Sequence, residues 1–351
     1  MRAALLTSPT TFTMTALPVP QPGPGEVRVR VAACGVCNSE VHAVRNLRTL
    51  HARSRYTIEK TPVGPQPGHH AWHVRSCLSG MPDAAAEFPL LMGHEVSGLI
   101  DALGAGVSGV AIGQRVTALT HHGFAEYTLA RAANVLPLPD ALPLDLALGE
   151  PIACASNAAR RAGVTLGDTV ALVGAGFMGA LLLQFLLRLG AAQVIVLDPR
   201  ASMRRLAARL GADIILDPSD GDPVAAVLQH TGGAGADVVV EATGAQAGLD
   251  LATALTRTRG RLIIYGYHQG DARTVEMQLW NLRGLDVVNA HHRDDDEYLA
   301  GMRAGLAMLT HNKLDMRALV THRFRLEDVG EAFALAEQRP EGFVKAVVIM
   351  E

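Results

Sequence analysis

The chain is short of aromatic residues, at 4% of 351. It holds only four cysteines and carries a net charge of just −3. Each shortage excludes something. Cys34, Cys37, Cys77 and Cys154 are too few for a disulfide scaffold at this length. The near balance of charge gives no electrostatic reason to expect a nucleic-acid or membrane partner. No apolar run reaches the roughly 18 residues that a membrane span needs. The opening Met1–Leu6 soon turns polar and lacks a signal-peptide core, so a cytoplasmic location is expected. So few aromatics also argue against a wholly aromatic substrate slot. Neither an internal repeat nor a low-complexity tract is evident.

The apolar residues, 49% of the chain, are sufficient for two cores, and the length suits two domains. The first 150 residues or so read as mostly β. Val27–Val31 alternates apolar and basic side chains, as a half-buried strand does, after the turn cluster Pro20–Gly25. Short strands are expected at Glu95–Leu103, Arg115–Leu119 and Ala125–Leu129, a spacing that suggests a compact barrel. The rhythm changes near Ala155. Strands are expected at Thr169–Val173, Gln193–Leu197, Asp213–Leu216, Asp237–Glu241, Leu262–Tyr265 and Leu285–Val288, with helices from Phe177 and Ser202. That alternation is the βαβ pattern of a parallel sheet. Helical stretches follow His291, and Phe343–Met350 closes the chain as a strand. Residues 43–90 keep no period and hold His51, His69, His70, His73 and Cys77. They read as a long loop or insertion over the surface, in preference to a second metal site.

Gly174-Ala175-Gly176-Phe177-Met178-Gly179 follows an apolar strand and opens an apolar helix. Glycines in that context allow a tight turn, close approach of the backbone to a pyrophosphate, and close helix–strand packing. The helix start adds free N–H groups for phosphates. The next strand ends in Asp198, which suits the adenosine ribose hydroxyls and favours NAD over NADP; Arg200 keeps NADP open. Thr243 and Gly266 sit at strand ends facing the expected cofactor crevice, with plain turn structure an equal reading.

Cys37, His94, Glu95 and Glu150 offer a thiolate, an imidazole and carboxylates. Three such donors leave an open position, the mark of a catalytic zinc site. Singly, each is more often a packed side chain, and spacing alone does not assemble them.

The run Cys34-Gly35-Val36-Cys37-Asn38-Ser39-Glu40-Val41-His42, then Gly93-His94-Glu95, Glu150-Pro151 and Gly174–Gly179, resembles the zinc-containing medium-chain dehydrogenase family, in family order. The branch with sorbitol and threonine dehydrogenases looks nearest. The resemblance implies an α/β chain: a GroES-like β-barrel catalytic domain over 1–153, a Rossmann doubly wound parallel sheet over 154–290, and a segment 291–351 returning to the barrel. It implies one zinc ion on Cys37 and His94, with Glu95 able to bind or displace. Glu150 matches the third ligand, and Cys154 competes with it. Ser39 and His42 match the proton relay, and Lys345 resembles a late basic residue that meets the pyrophosphate.

The resemblance also implies a reaction. Zinc would polarise an alcohol oxygen, Ser39 would take the proton towards His42, and hydride would pass to the nicotinamide. His291, His292 and Arg293 lie near where polyol-type relatives contact substrate, so a secondary alcohol of a polyol, sugar or amino-alcohol is expected. A homodimer or homotetramer joined through the Rossmann sheets is expected as well. Glu40 stands where relatives carry Asp, which predicts a longer contact to the ligand histidine. A cysteine-rich structural zinc lobe is absent. Two other readings remain: a zinc-free NADPH-dependent carbonyl or quinone reductase, and a lapsed NAD-binding protein.

Overall fold

A computed structural model describes residues 1–49, 88–269, 272–291 and 294–350. The chain divides into two compact units. The first is Met1–Glu150, Arg293–Arg303 and Val320–Glu351; the second is Pro151–His292 and Ala304–Leu319. The C-terminal segment is therefore shared: Ala304–Leu319 stays with the second unit and does not return to the first.

Strands run in chain order as β1 Arg2–Ser8, β2 Thr11–Ala16, β3 Glu26–Gly35, β4 Leu90–Leu91, β5 Glu95–Leu103, β6 Arg115–Ala118, β7 Tyr127–Arg131 and β8 Val135–Pro137. Then come β9 Thr169–Val173, β10 Gln193–Leu197, β11 Ile214–Leu216, β12 Ala236–Glu241, β13 Thr256–Ile264 and β14 Asp286–Asn289. The last two are β15 Val320–Arg325 and β16 Lys345–Ile349.

In the first unit β3 is the organiser. Val27, Val29 and Val31 are buried while Arg30 is exposed, which realises the alternation in the sequence. β3 pairs antiparallel with β5, β7 and β16 in a seven-stranded sheet, six strands of which run in the order β15-β16-β3-β5-β6-β8 while β7 pairs with β3 off that path. A separate three-stranded sheet, β2-β1-β4, meets the rest through the bridge Ala3–Ala125. Among the described residues these strands do not close into one barrel. The first unit is an open pair of sheets over a core that includes Leu6, Ile100, Phe124 and Phe333.

The expected loop over 43–90 also needs correction. Helix Asn38–Thr49 runs through its first residues, and β4 takes its end. Val41 and Val44, three apart, put one face of that helix into the core, a period too short to stand out in the sequence before the polar run that begins at Arg45. His51, His69, His70, His73 and Cys77 lie outside the described residues.

In the second unit β11-β10-β9-β12-β13-β14 form an all-parallel sheet. Strand order reverses between β9 and β12, the switch point at which such folds bind dinucleotides. Strands buried on both faces need continuous apolar runs, and Val170–Val173 and Val238–Val240 supply them. Helix Phe177–Leu186 is buried from Gly179 onward, as a helix apolar all round must be. No helix among the described residues is long and apolar enough to cross a membrane.

Candidate active site

The metal donors are assembled by strand pairing in the first unit. Gly35 at the end of β3 opposes Glu95 at the start of β5. Cys37 follows β3 by two residues, and His94 precedes β5 by one. Ligand atoms of Cys37, His94 and Glu95 consequently lie within 4.8 Å of one another. Around them is a charged shell. Glu40, in the first turn of helix Asn38–Thr49, accepts the Gly93 N–H at 2.7 Å and faces His94 Nδ1 at 3.1 Å. The glutamate side chain thus reaches the ligand histidine from the helix at ion-pair distance. Ser39 Oγ donates to Cys37 Sγ at 3.1 Å.

Burial opposes charge on His94, yet the negative charges of Glu40 and Cys37 outweigh it and hold the imidazole well above its ordinary pKa. Burial likewise works to raise Glu40, but His94, the Gly93 N–H and Lys345 keep it below the ordinary carboxylate value. The pocket is thus built to stabilise positive charge. Glu95 Oε2 is buried without a hydrogen-bond partner. Sulfur, imidazole nitrogen and a carboxylate oxygen suit a borderline-soft dication. These residues fit zinc.

Glu150 and Cys154, the rival third ligands, are both on helix Gly149–Ala162, and the tight group found among the described residues is Cys37, His94 and Glu95. Glu150 is close enough for its charge to act on Lys345. Lys345 also reaches this pocket. Its ammonium is buried and sits 2.7 Å from Glu95 Oε1, so the metal-site glutamate is a partner that the sequence did not announce. Burial alone would lower its pKa; Glu95, Cys37 and Glu150 raise it instead. The signal for this role in the sequence was weak: a lysine opening an otherwise apolar strand.

Of the relay candidates, Ser39 touches Cys37, and His42 lies one turn further along the helix. Arg45 Nη2 meets His42 Nδ1 at 2.8 Å. Burial first, then the charges of Arg45 and Arg339, lower the His42 pKa to about 4. His42 is therefore neutral at pH 7.

The dinucleotide cradle belongs to the second unit. Gly174 has φ +97°, a conformation L side chains rarely adopt, and a Cβ on Gly179 would run into the Gly174 carbonyl oxygen. Gly176 caps helix Phe177–Leu186, and Phe177 and Met178 begin it. Asp198 directly follows β10, with both oxygens engaged. Oδ2 accepts from Ala175 N at 2.8 Å and Arg200 Nη2 at 3.0 Å; Oδ1 accepts from Arg200 N at 2.9 Å and Arg200 Nε at 3.1 Å. A carboxylate has about four acceptor sites, and these four donors fill them. Arg200 also lies beside Gly176: its Nη2 would be 3.5 Å from a Cβ there.

At the ends of β12 and β13 sequence reasoning singled out Thr243 and Gly266 but missed Glu241. This fully buried carboxylate accepts from Thr243 N at 2.7 Å and Gly244 N at 2.9 Å, and meets His268 Nε2 at 2.9 Å. The Gly266 N–H donates to its backbone oxygen at 2.7 Å. A charged residue ending the run Val238–Val240 was the available clue.

Comparison with known proteins agrees with this architecture. Residues 23–140 match the profile of the alcohol dehydrogenase GroES-like domain, and residues 178–304 that of the zinc-binding dehydrogenases. Human sorbitol dehydrogenase is 27% identical over 329 residues, covering 81% of this chain and 90% of that protein. L-threonine 3-dehydrogenase of Pyrococcus abyssi is 29% identical over 288 residues, covering 73% and 81%. The crystal structure of 2R,3R-butanediol dehydrogenase from Bacillus subtilis superposes with a TM-score of 0.78 at 24% identity, covering 99% of each chain. The chain belongs to the zinc-containing medium-chain dehydrogenase family. It is accordingly an oxidoreductase that acts on CH–OH groups with zinc and a nicotinamide dinucleotide.

Proposed function

We propose that this enzyme interconverts a secondary alcohol of a polyol, sugar or amino-alcohol with its carbonyl. The observation that carries the reading is the grouping of Cys37, His94 and Glu95 in one buried, anion-rich pocket. Cys37, His94 and a carboxylate would hold the zinc ion, with Glu150 preferred to Cys154 because its charge reaches Lys345 in the same pocket. Zinc there would supply Lewis acidity towards the alcohol oxygen.

The chain's own groups do the rest. Glu40 orients the His94 ring through Nδ1, which leaves Nε2 as the donor atom. Ser39 takes the hydroxyl proton, and the neutral imidazole of His42 receives it on the way to solvent. Gly174, Gly176, Phe177, Met178 and Gly179 cradle the pyrophosphate, while Thr243 and Gly266 border the nicotinamide end. NAD is the expected cofactor. Arg200 must leave Asp198 before ribose hydroxyls can bond there, and its positive charge softens the repulsion of a 2′-phosphate, so NADP is accepted too. His291 would supply a polar substrate contact; His292 and Arg293, the other two candidates, lie outside the described residues.

We place the enzyme in the cytoplasm. We assign a homodimer, or a tetramer built from dimers, through the outer edge of β14, where Val287 is exposed and β13 is the strand partner found on the other side.

The test is a screen of purified protein with NAD and NADP against polyols, sugars and amino-alcohols, read as formation of reduced nicotinamide by its absorbance. Turnover of secondary polyols that is lost on chelation is expected. Nucleotide binding without turnover of any alcohol would instead support the lapsed reading. Metal-independent, NADPH-dependent reduction of quinones would support the zinc-free one.

A further inference from the structure

Lys345 has no place in the mechanism above, yet it is as carefully built as the donors. Three strands converge on it. β16 pairs with β3 through Val347–Gly35, and β3 pairs with β5 through Gly35–Glu95. Lys345, two residues before Val347 on the same face of β16, can thereby reach Glu95 on the far side of β3. Gly35 is the gap that permits it. A Cβ there would lie 3.0 Å from Glu95 Cδ and closer still to Oε2. Only glycine leaves room for the carboxylate to lie across the strand.

The two carboxylate oxygens then have different fates. Oε1 is held by the Lys345 ammonium at 2.7 Å. Oε2 is buried with no hydrogen-bond partner. The side chains of both residues are almost fully buried, at 4% and 1% exposure. A buried charged oxygen left without a partner is costly, so its retention points to a ligand that completes it. Cys37 and His94, within 4.8 Å of the Glu95 donor atom, identify that ligand as the metal.

We infer that Lys345 is a positioning residue that keeps Glu95 a one-armed, releasable ligand. The ammonium withholds Oε1 and offers a single oxygen to the ion. Its positive charge, among the negative charges of Glu95, Cys37 and Glu150, also stops the pocket from binding the dication too tightly for a ligand to be exchanged. The inference rests on the zinc reading above and adds a residue to it.

The test uses the full-length enzyme loaded with zinc or, for spectroscopy, with cobalt(II). Lys345→Met removes tether and charge while keeping length. Its expected signature is about tenfold slower loss of zinc to a chelator, the scale on which residues behind a ligand act. With it comes a weaker cobalt visible band, as Glu95 adds a donor to the ion. Turnover number should fall with little change in KM. Lys345→Arg should restore the wild-type spectrum. Introducing Lys345→Met into Glu95→Gln should leave the cobalt band unchanged, since the carboxylate that moves is gone. If Lys345→Met does not fold, Lys345→Gln, neutral but still able to donate to Oε1, should shift zinc loss in the same direction.

A Lys345 variant with wild-type zinc loss and cobalt spectrum overturns the inference while leaving the zinc site intact. So does one that loses zinc faster in step with a lower melting temperature, which marks a purely structural lysine. Wild-type protein that takes up neither metal removes the zinc reading, and this inference with it.

Discussion

Replacing Glu40 tests whether the pocket was built around an oriented histidine. Glu40 Oε1 takes the Gly93 N–H at 2.7 Å and lies 3.1 Å from His94 Nδ1. Its side chain is only 10% exposed, so solvent screens that contact weakly. Its pKa lies below the ordinary carboxylate value, so it is charged at neutral pH. Glu40→Gln keeps an oxygen that can still accept from Gly93 but deletes the charge that raises the basicity of the ring. Glu40→Ala deletes both. Loss of a partner behind a metal ligand costs about 10–100-fold in affinity, or about 1.4–2.8 kcal/mol. Since Gln preserves one hydrogen bond, it belongs near the tenfold end and Ala near the hundredfold end. Glu40→Asp, one methylene shorter, should fall between wild type and Gln. Competition against a fluorescent zinc chelator at pH 7 measures this, with melting temperature as the control for folding. If Gln and Ala variants both hold zinc within about threefold of wild type, well under that range, the histidine is not oriented as described.

Three further outcomes follow from the geometry. Arg200→Ala frees Asp198 of two side-chain donors and removes a cation beside Gly176, so the preference for NAD over NADP in kcat/KM should rise about tenfold, or about 1.4 kcal/mol; an unchanged ratio refutes the role of Arg200. Burial works to raise the Glu241 pKa, but His268 and Thr243 outweigh it and hold it below its ordinary value. Its stabilising contribution is therefore complete above the ordinary carboxylate pKa and is lost as pH falls through the depressed folded value. Urea unfolding of Glu241→Gln should show a shallower loss of stability on acidification than wild type; parallel curves contradict this. The His42 ring should titrate near 4 in proton NMR, and Arg45→Ala should move it upward; a midpoint at the ordinary histidine value in the wild-type protein contradicts the burial and charge assigned to it.

Much of this was legible in the sequence, for identifiable reasons. The parallel sheet announced itself because strands buried on both faces must be continuous apolar runs, so β9 and β10 fall where Thr169–Val173 and Gln193–Leu197 predicted. The glycine turn was legible because its backbone demands are specific to glycine. What stayed hidden depends on contacts between residues distant in sequence. Lys345 and Glu95 are joined only through the register of β16, β3 and β5. Glu241 was passed over because a carboxylate closing an apolar strand looks like its exposed end, whereas it is fully buried. The filling of Asp198 by Arg200 is local, but it turns on a side-chain rotamer that no periodicity encodes. The open arrangement of β1, β2 and β4 reflects pairings among short strands, which spacing does not settle.

The central claim is that Cys37 and His94 share one zinc ion with a carboxylate. Zinc-edge X-ray absorption of the purified enzyme addresses it directly. One sulfur at about 2.3 Å with nitrogen and oxygen donors at about 2.0–2.2 Å is the predicted shell, with the sulfur absent in Cys37→Ala. Zinc bound without sulfur in the wild-type protein, or a sulfur that survives Cys37→Ala, contradicts the account.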